Sequence, residues 1–251
     1  CDLPCAFPEV WGEQTDVCES ADWFNSKFCV SMGANLGMTR TPDIHFFSEA
    51  RHNGTKTVVM SPDFSMVAKH ADQWIPCHAG SDGAFWMAVT HVILKEWHSD
   101  KRTPYFHEYV KRYTDCPFLV ELEPNGEHFK PMKMVRANRL DKFKDISNGD
   151  WKFLCLDSST GEPVTPKGTM GYRWDKEPGN WNLKYENGPD SKPYDPELTF
   201  LENSEEVLQV EFVEYGLKKK VLRGIPVKYL TGADGKRIPV ATIYDLTMGQ
   251  Y

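Results

Sequence analysis

The chain has 251 residues, of which 29 are basic and 36 acidic, so its formal net charge is −7. This acidic balance argues against a nucleic-acid-binding surface, which needs an excess of Lys and Arg. No apolar run reaches the roughly 18–20 residues that cross a bilayer as a helix. Because the sequence begins at Cys1 rather than Met and ends at Tyr251 without an obvious terminator, we expect it to be an internal part of a longer protein.

The first part of the chain begins with a predicted strand and a predicted helix. A short apolar run at 27–32 is typical of a buried strand, and Gly33 ends it. The helix that follows is predicted to have Thr41 as its N-cap, Pro42 in its first turn and Gly54 beyond its end.

The alternation of strand and helix then continues. A second strand is predicted at 55–61, a short helix at 64–71, a third strand at 73–77 and a longer helix at 81–98, with Ser81 as its N-cap. Large apolar residues of the longer helix form a broad stripe, which is typical of a helix that packs on a core. Strands separated by helices predict a parallel sheet with crossover helices.

The pattern weakens after residue 117, where Pro, Gly, Asn and Lys become frequent. Short strands are predicted for the segments "FLVELE", "KFLCLD", "VLQVEFVEY", "KVLRGIPVKYL" and "ATIYDL". The predicted fold class is therefore α/β, with a Rossmann-like parallel sheet and crossover helices in residues 1–117. Residues 118–251 are predicted to be a mixed, loop-rich elaboration of the same subunit.

The loop after the first strand has features that suit a phosphate or pyrophosphate. Gly33 and Gly37 allow the backbone to approach a ligand closely, and Asn35, Thr39 and Arg40 add hydrogen-bond donors. The helix that follows directs the positive end of its dipole toward the same loop. The alternative is a simple turn between a strand and a helix.

Acidic residues follow the other two predicted strands. Asp63 lies where nucleotide-binding units place an acid that accepts from ribose hydroxyls, and it is equally suited to cap the next short helix. Asp82 begins the longer helix, where its carboxylate suits a guanine edge or simply complements the helix dipole. Three consecutive strand ends with such residues together favour a nucleotide site.

Several long stretches of the sequence carry a family resemblance. They are "WGEQTDVCESADWFNSKF", "GANLGMTRTPDIHFFSEAR", "NGTKTVVMSPDFS", "AKHADQWIPCHAGSDGAF", "YFHEYVKRYTDCPFLVELE", "PVKYLTGADG" and "TIYDLT". These gapless stretches resemble the catalytic alpha subunits of respiratory nitrate reductase and nitrite oxidoreductase, in the DMSO-reductase class of molybdopterin oxidoreductases. The similarity covers nearly the whole chain and is weakest around 125–205.

This resemblance implies a molybdenum centre with two molybdopterin guanine dinucleotides. Gly33, Asn35, Thr39 and Arg40 would hold the pyrophosphate of one dinucleotide. Asp63 would contact its guanosine and Asp82 its guanine. The iron–sulfur cluster expected in the full-length subunit would have no ligands among residues 1–251, because the family's cluster-binding residues precede this part of the subunit.

The resemblance also points to residues near the metal. The molybdenum ligand of this branch is an Asp within Tyr-Asp-Trp-Tyr-Cys-Asp-Leu-Pro, and this chain begins at the Cys of that stretch. Asp2 is therefore either the ligand or a near neighbour of a ligand that precedes the chain, and we favour the second reading. Gln14 and Thr15 are candidates to face the substrate anion, with ordinary loop hydrogen bonding as the alternative.

The expected function is interconversion of nitrate and nitrite by oxygen-atom transfer. The expected setting is a bacterial, membrane-associated complex, on either the cytoplasmic or the periplasmic side. Its other members would be an iron–sulfur beta subunit and a membrane or haem electron-transfer subunit. Two alternatives remain open: a related molybdoenzyme that acts on chlorate, perchlorate or selenate, and a nicotinamide-dependent dehydrogenase, although the loop reads "GANLG" rather than GxGxxG.

Overall fold

A computed structural model describes residues 19–167, 170–175, 194–213 and 219–250. The chain divides by compactness into two units, one up to residue 87 and one from residue 88 onward. The change in sequence character at 117 lies inside the second unit. Within the described ranges, no helix has both the length and the apolar character needed to cross a membrane.

The first unit contains a parallel, three-stranded sheet with strand order β1-β2-β3. The parallel sheet and its crossover helices confirm the predicted α/β class. Its elements are β1 Phe28–Met32, α1 Leu36–Thr39, α2 Thr41–His52, β2 Lys56–Met60, a 3₁₀-helix at Met66–His70, β3 Gln73–Ile75 and the start of α3 Asp82–Val92.

One face of this sheet carries the core of the first unit. Val59 of β2 is fully buried and packs with Phe47 of α2, Leu36 of α1 and Val67 of the 3₁₀-helix. The other face of the edge strand β1 carries a row of large apolar side chains that stay exposed. They are Phe28, Val30 and Met32.

Two details of the predicted helices are wrong. Helix α2 begins at Thr41, so Arg40 rather than Thr41 occupies the N-cap position. The longer predicted helix is not uniform, because α3 ends at Val92 and continues as a π-helical segment, Ile93–Asp100. The wider turns of that segment break the 3.6-residue period. The predicted apolar stripe is exposed in both parts, at Trp86 and Val92 of α3 and at Trp97 of the π-helical segment.

The second unit contains a closed barrel with strand order β10-β4-β5-β8-β9. Alternate residues of β8 point inward, among them Leu208 and Val210, and they pack with Ile225 and Val227 of β9. The elements of this unit are α4 Pro104–Tyr113, β4 Leu119–Asn125, β5 His128–Met134, β6 Cys155–Leu156, β7 Pro163–Val164, β8 Glu206–Val213, β9 Lys220–Thr231, β10 Arg237–Thr242 and α5 Ile243–Gln250.

The barrel makes this half more regular than the loop-rich prediction. Its neighbouring strands pair antiparallel, except that β5 pairs parallel with β8. The strand predicted at 241–246 is wrong in its second part, because α5 begins at Ile243. The Thr242 hydroxyl accepts a hydrogen bond from the amide of Asp245 at 3.0 Å, which is the geometry of an N-cap. Thr-x-x-Asp in the sequence was the signal for this helix start.

Candidate functional site

The three parallel strands end at the same edge of the sheet. Met32, Met60 and Ile75, the last residues of the strands, are aligned as neighbours across the sheet. Gly33 therefore leaves the sheet at the same edge as the turns that lead to Asp63 and toward Asp82. Ligands of open parallel sheets bind at this carboxyl edge, so the fold brings the predicted strand-end residues to one side of the first unit.

Gly33 provides space rather than a hydrogen-bond donor. Its backbone takes φ +63°, a left-handed conformation that favours glycine, and a Cβ placed there would meet no atom within 4 Å. The amide of Gly33 donates to the carbonyl of Met60 at 3.2 Å and is therefore already engaged. The Cα of Gly33 faces open space at the carboxyl edge.

Gly37 has a different reason to be glycine. A Cβ at Gly37 would lie 2.6 Å from Sδ of Met66, so the residue allows the α1 turn to pack on the neighbouring 3₁₀-helix. The sequence interpretation grouped both glycines as places for ligand approach. The structure separates them, because only Gly33 faces open space.

Asn35 occupies the N-cap position of α1 and has an incomplete set of hydrogen bonds. Its backbone carbonyl accepts from the amides of Met38 and Thr39, at 2.9 and 3.0 Å, and from the hydroxyl of Thr39 at 3.1 Å. The side-chain Oδ1 of Asn35 is buried without a partner. An unpartnered buried acceptor costs about 1–3 kcal/mol, so this amide is suited to a group that the protein itself does not supply.

The charge of Arg40 and the dipole of helix α2 are both compensated within the protein, by the carboxylate of Asp43. Nε of Arg40 lies 2.8 Å from the carboxylate of Asp43 in the first turn of α2, and the hydroxyl of Ser20 donates to the same carboxylate at 2.6 Å. Asp43 therefore already complements the positive end of the α2 dipole. An anion bound near Arg40 would share that guanidinium with Asp43.

Asp63 is exposed and does not act as a helix cap. The N-cap position of the following 3₁₀-helix is Ser65, and the backbone carbonyl of Asp63 accepts from the Ser65 amide and from the Ser61 hydroxyl. The carboxylate of Asp63 has no partner among the described residues. Ser61, which the sequence interpretation passed over, shapes this turn and also accepts from the indole N–H of Trp74. The sequence Ser-Pro-Asp after a strand is typical of a turn and could have indicated this role of Ser61.

Asp82 is the first residue of α3, and its side chain is exposed. Its carboxylate likewise has no partner within the part of the chain that the structure describes. Ser81 precedes the helix as predicted, but its hydroxyl donates to the carbonyl of His78 at 2.6 Å. Asp63 and Asp82 thus offer two free carboxylates on turns that leave the same sheet edge.

The remaining predicted site residues, Asp2, Gln14 and Thr15, lie outside the described residues. Among those that are described, no group of three or more His, Cys, Asp or Glu side chains is arranged to hold a metal ion.

Comparison with known proteins identifies the relatives of this chain. Residues 5–233 match the family model described as molybdopterin oxidoreductase. The respiratory nitrate reductase 1 alpha chain of Escherichia coli is 42% identical over 100% of this chain and 21% of its own length. The nitrate reductase alpha chain of Bacillus subtilis is 37% identical over 100% of the chain and 20% of its own length. The perchlorate reductase subunit alpha of Dechloromonas aromatica is 32% identical over 98% of the chain and 22% of its own length. The chain thus spans about a fifth of these relatives.

Proposed function

The chain belongs to the molybdopterin oxidoreductase family, and we propose that it forms part of the catalytic subunit of a molybdenum enzyme that interconverts nitrate and nitrite. Relatives named as nitrate reductase alpha chains match the chain over its whole length, which supports this substrate pair. In the reductive direction, nitrate, two electrons and two protons give nitrite and water.

The proposed cofactor is molybdenum held by two molybdopterin guanine dinucleotides. When bound, it would supply two-electron redox chemistry and oxygen-atom transfer. The residues present at the sheet edge fit one dinucleotide. Gly33 leaves room beside the backbone, and the buried Oδ1 of Asn35 lacks a partner. The carboxylates of Asp63 and Asp82 are free to accept hydrogen bonds.

Each of these residues would have a distinct role toward that dinucleotide. Gly33 and Asn35 would approach the pyrophosphate, and the Asn35 amide, turned over, presents its N–H groups to an oxygen. Thr39 and Arg40 would lie on the outer side, where the charge of Arg40 is shared with Asp43. Asp63 would accept from the guanosine.

Asp82 would accept paired hydrogen bonds from the amino-bearing edge of guanine. Acidic side chains suit this edge because a carboxylate has two acceptor oxygens. We also retain Asp2 as a candidate near the metal, and Gln14 and Thr15 as candidates that face the anion. These three assignments rest on the family resemblance alone.

The proposed assembly rests on the family resemblance, and the names of the relatives agree with it. Relatives named as respiratory nitrate reductase alpha chains support a complex of several subunits. The resemblance implies that this complex is bacterial and membrane-associated, with an iron–sulfur beta subunit and a membrane or haem electron-transfer subunit. The iron–sulfur cluster of the alpha subunit itself would lie outside this window. The family match leaves the nicotinamide-dependent alternative without support. The perchlorate reductase relative retains the alternative that the substrate is an oxyanion of chlorine.

The observation that carries the proposal is the shared carboxyl edge of β1, β2 and β3, with free polar groups on the turns that leave it. The test is to purify the protein that contains this chain, measure its molybdenum and guanine content, and assay it in both directions. Nitrate reduction uses a reduced viologen dye, and nitrite oxidation uses an oxidised dye. Chlorate and perchlorate are assayed in parallel.

The residue assignments are tested by Asp82→Asn and Asp63→Asn, with Asp145→Asn as the matched control. Asp145 is an exposed acid of the second unit that has no part in the proposed site. We expect both site variants to lose bound guanine and activity together, while the control retains both. A molybdenum-containing protein that converts neither nitrate nor nitrite would refute the substrate assignment, and full guanine content in both variants would refute the site.

A further inference from the structure

A cavity of about 410 Å³ lies entirely within the second unit. Its walls come from the π-helical segment, α4, β9 and α5. Apolar side chains form much of the lining, among them Ile225, Pro226 and Met248. A concave, largely apolar cavity of this volume is typical of a site for a small organic molecule.

Three residues that line the cavity each have a buried polar atom that has no hydrogen-bond partner among the described residues. These atoms are Nδ1 of His98, Nε2 of His107 and the hydroxyl of Tyr244. His98 is 7% exposed and Tyr244 is 2% exposed. The ring of His98 lies 4.3 Å from the ring of His107 and 4.3 Å from that of Tyr244, so the atoms belong to one cluster. Native proteins rarely leave such atoms unpaired.

The cluster is uncharged at neutral pH. Burial lowers the pKa of His98 to about 4 and also lowers the pKa of His107, so both imidazoles are neutral. Burial raises the pKa of the Tyr244 hydroxyl, which therefore keeps its proton. Neutral imidazoles each have one N–H, and a protonated phenol has its O–H. The cluster thus offers donors to an oxygen acceptor.

One of the two guanidinium groups at the cavity has no carboxylate partner among the described residues. Arg102 is matched by Glu202, with 2.5 Å between Nη1 and Oε1. Arg223 is an exposed residue of β9 and donates to the backbone carbonyl of Leu222 at 3.2 Å. Across the residues that the structure describes, no acidic side chain forms an ion pair with Arg223. This guanidinium is therefore available to an anion.

Asp245, the second acid in the cavity wall beside Glu202, already has hydrogen-bond partners within the protein. The carboxylate of Asp245 accepts hydrogen bonds from the hydroxyl of Thr199 and from the amide of Phe200. Burial raises the pKa of Asp245, which weakens its tendency to carry charge. Asp245 consequently does not serve as the counter-ion of Arg223.

We propose that this cavity binds a small organic monocarboxylate. Its carboxylate would accept hydrogen bonds from the guanidinium of Arg223 and the hydroxyl of Tyr244, and its apolar body would lie against Ile225 and Met248. Guanidinium and carboxylate groups match in planar, paired hydrogen bonds, which favours a carboxylate over a spherical anion. This proposal is independent of the proposed nitrate chemistry.

The test measures binding of benzoate, a planar monocarboxylate with an apolar body, to the purified protein that contains this chain. Isothermal titration compares the wild type with Arg223→Gln and Tyr244→Phe. The control is Arg237→Gln, since Arg237 belongs to β10, pairs with Glu205 and does not line the cavity. We expect saturable binding that weakens at least tenfold in each cavity variant and is unchanged in the control.

Tyr244→Phe separates binding from folding, because it removes only an oxygen that has no partner. Its melting temperature should stay the same or rise while benzoate affinity falls. Absence of saturable binding to the wild type, or equal affinity in all variants, would overturn the proposal. Benzyl alcohol bound as tightly as benzoate would refute the role of charge, and nitrate bound as tightly would refute the role of the apolar walls.

Discussion

The carboxyl edge of the sheet and two ion pairs of the second unit differ in how their charged side chains are matched. At the carboxyl edge, the carboxylates of Asp63 and Asp82 are exposed and have no partner among the described residues. In the second unit, two buried charges each lie in an ion pair. Lys152 is only 2% exposed and lies 2.7 Å from Asp175, and Glu197 lies 2.8 Å from Lys228. The difference teaches that paired buried charges hold the fold, whereas unpaired polar groups indicate places where a ligand completes it.

The largest expected effect comes from breaking a buried pair. Asp175→Ala leaves the ammonium of Lys152 buried without its counter-charge and should lower the free energy of unfolding by about 3 kcal/mol, the low end for buried pairs because Asp175 is partly exposed. Urea unfolding measures it. Lys228→Met, which removes the partner of Glu197, serves as a second case. A change below about 1 kcal/mol in both would contradict the structural role given to paired charges.

A pH effect follows from His98, whose folded-state pKa is lowered to about 4 from its usual 6.5, chiefly by burial and also by the charges of His107 and Arg102. In the unfolded chain, His98 is protonated below about pH 6.5, whereas in the folded chain it is protonated only below about pH 4. The contribution of neutral His98 to the free energy of unfolding is therefore fully present above pH 6.5. It is lost as the pH decreases toward 4, by up to about 3 kcal/mol. Unfolding free energies across this range, compared between wild type and His98→Gln, measure it. An identical pH profile in both proteins would contradict the assignment.

A smaller effect is expected at Gly33. Gly33→Ala forces a side chain into a left-handed backbone and should cost about 1 kcal/mol, although no atom obstructs the new Cβ. Gly37→Ala is the comparison, since there the obstacle is Met66 rather than the backbone conformation. Thermal unfolding measures the two variants. Rescue of Gly37→Ala, but not of Gly33→Ala, by Met66→Ala would confirm the distinction.

The smallest expected effect on stability is at the free carboxylates. Asp63→Asn and Asp82→Asn should each change the free energy of unfolding by less than about 0.5 kcal/mol, because neither carboxylate has a partner among the described residues. A loss of bound guanine without a loss of stability would mark the edge as a ligand site. Destabilisation beyond about 1 kcal/mol would show instead that these acids serve the fold.

Local sequence patterns predicted the sheet well and the barrel poorly. The three strands of the sheet are short apolar runs bounded by Gly and Pro, and their parallel pairing follows from the helices between them. The barrel closes when Leu119 pairs with Thr242 at the far end of the chain. No local pattern contains such a pairing. Strand β5 includes Lys130, Pro131 and Lys133, and both residue types are depleted in strands, so its sequence does not predict a strand.

The position of the candidate residues at one edge of the sheet was predictable from the sequence, but their contacts were not. Spacing after each strand pointed to Gly33, Asp63 and Asp82. The engagement of Arg40 by Asp43, and the separate role of Gly37, depend on side-chain geometry that no spacing encodes. The cavity near Tyr244 joins segments distant in sequence and is likewise visible only in three dimensions.

The apolar row on β1 has a practical consequence for anyone who produces this chain by itself. Phe28 is 60% and Met32 is 45% exposed, on an edge strand whose outer backbone groups have no neighbouring strand among the described residues. Such a surface in water favours self-association by edge-to-edge pairing. A hydrophilic fusion partner and low protein concentration are therefore the appropriate starting conditions for expression.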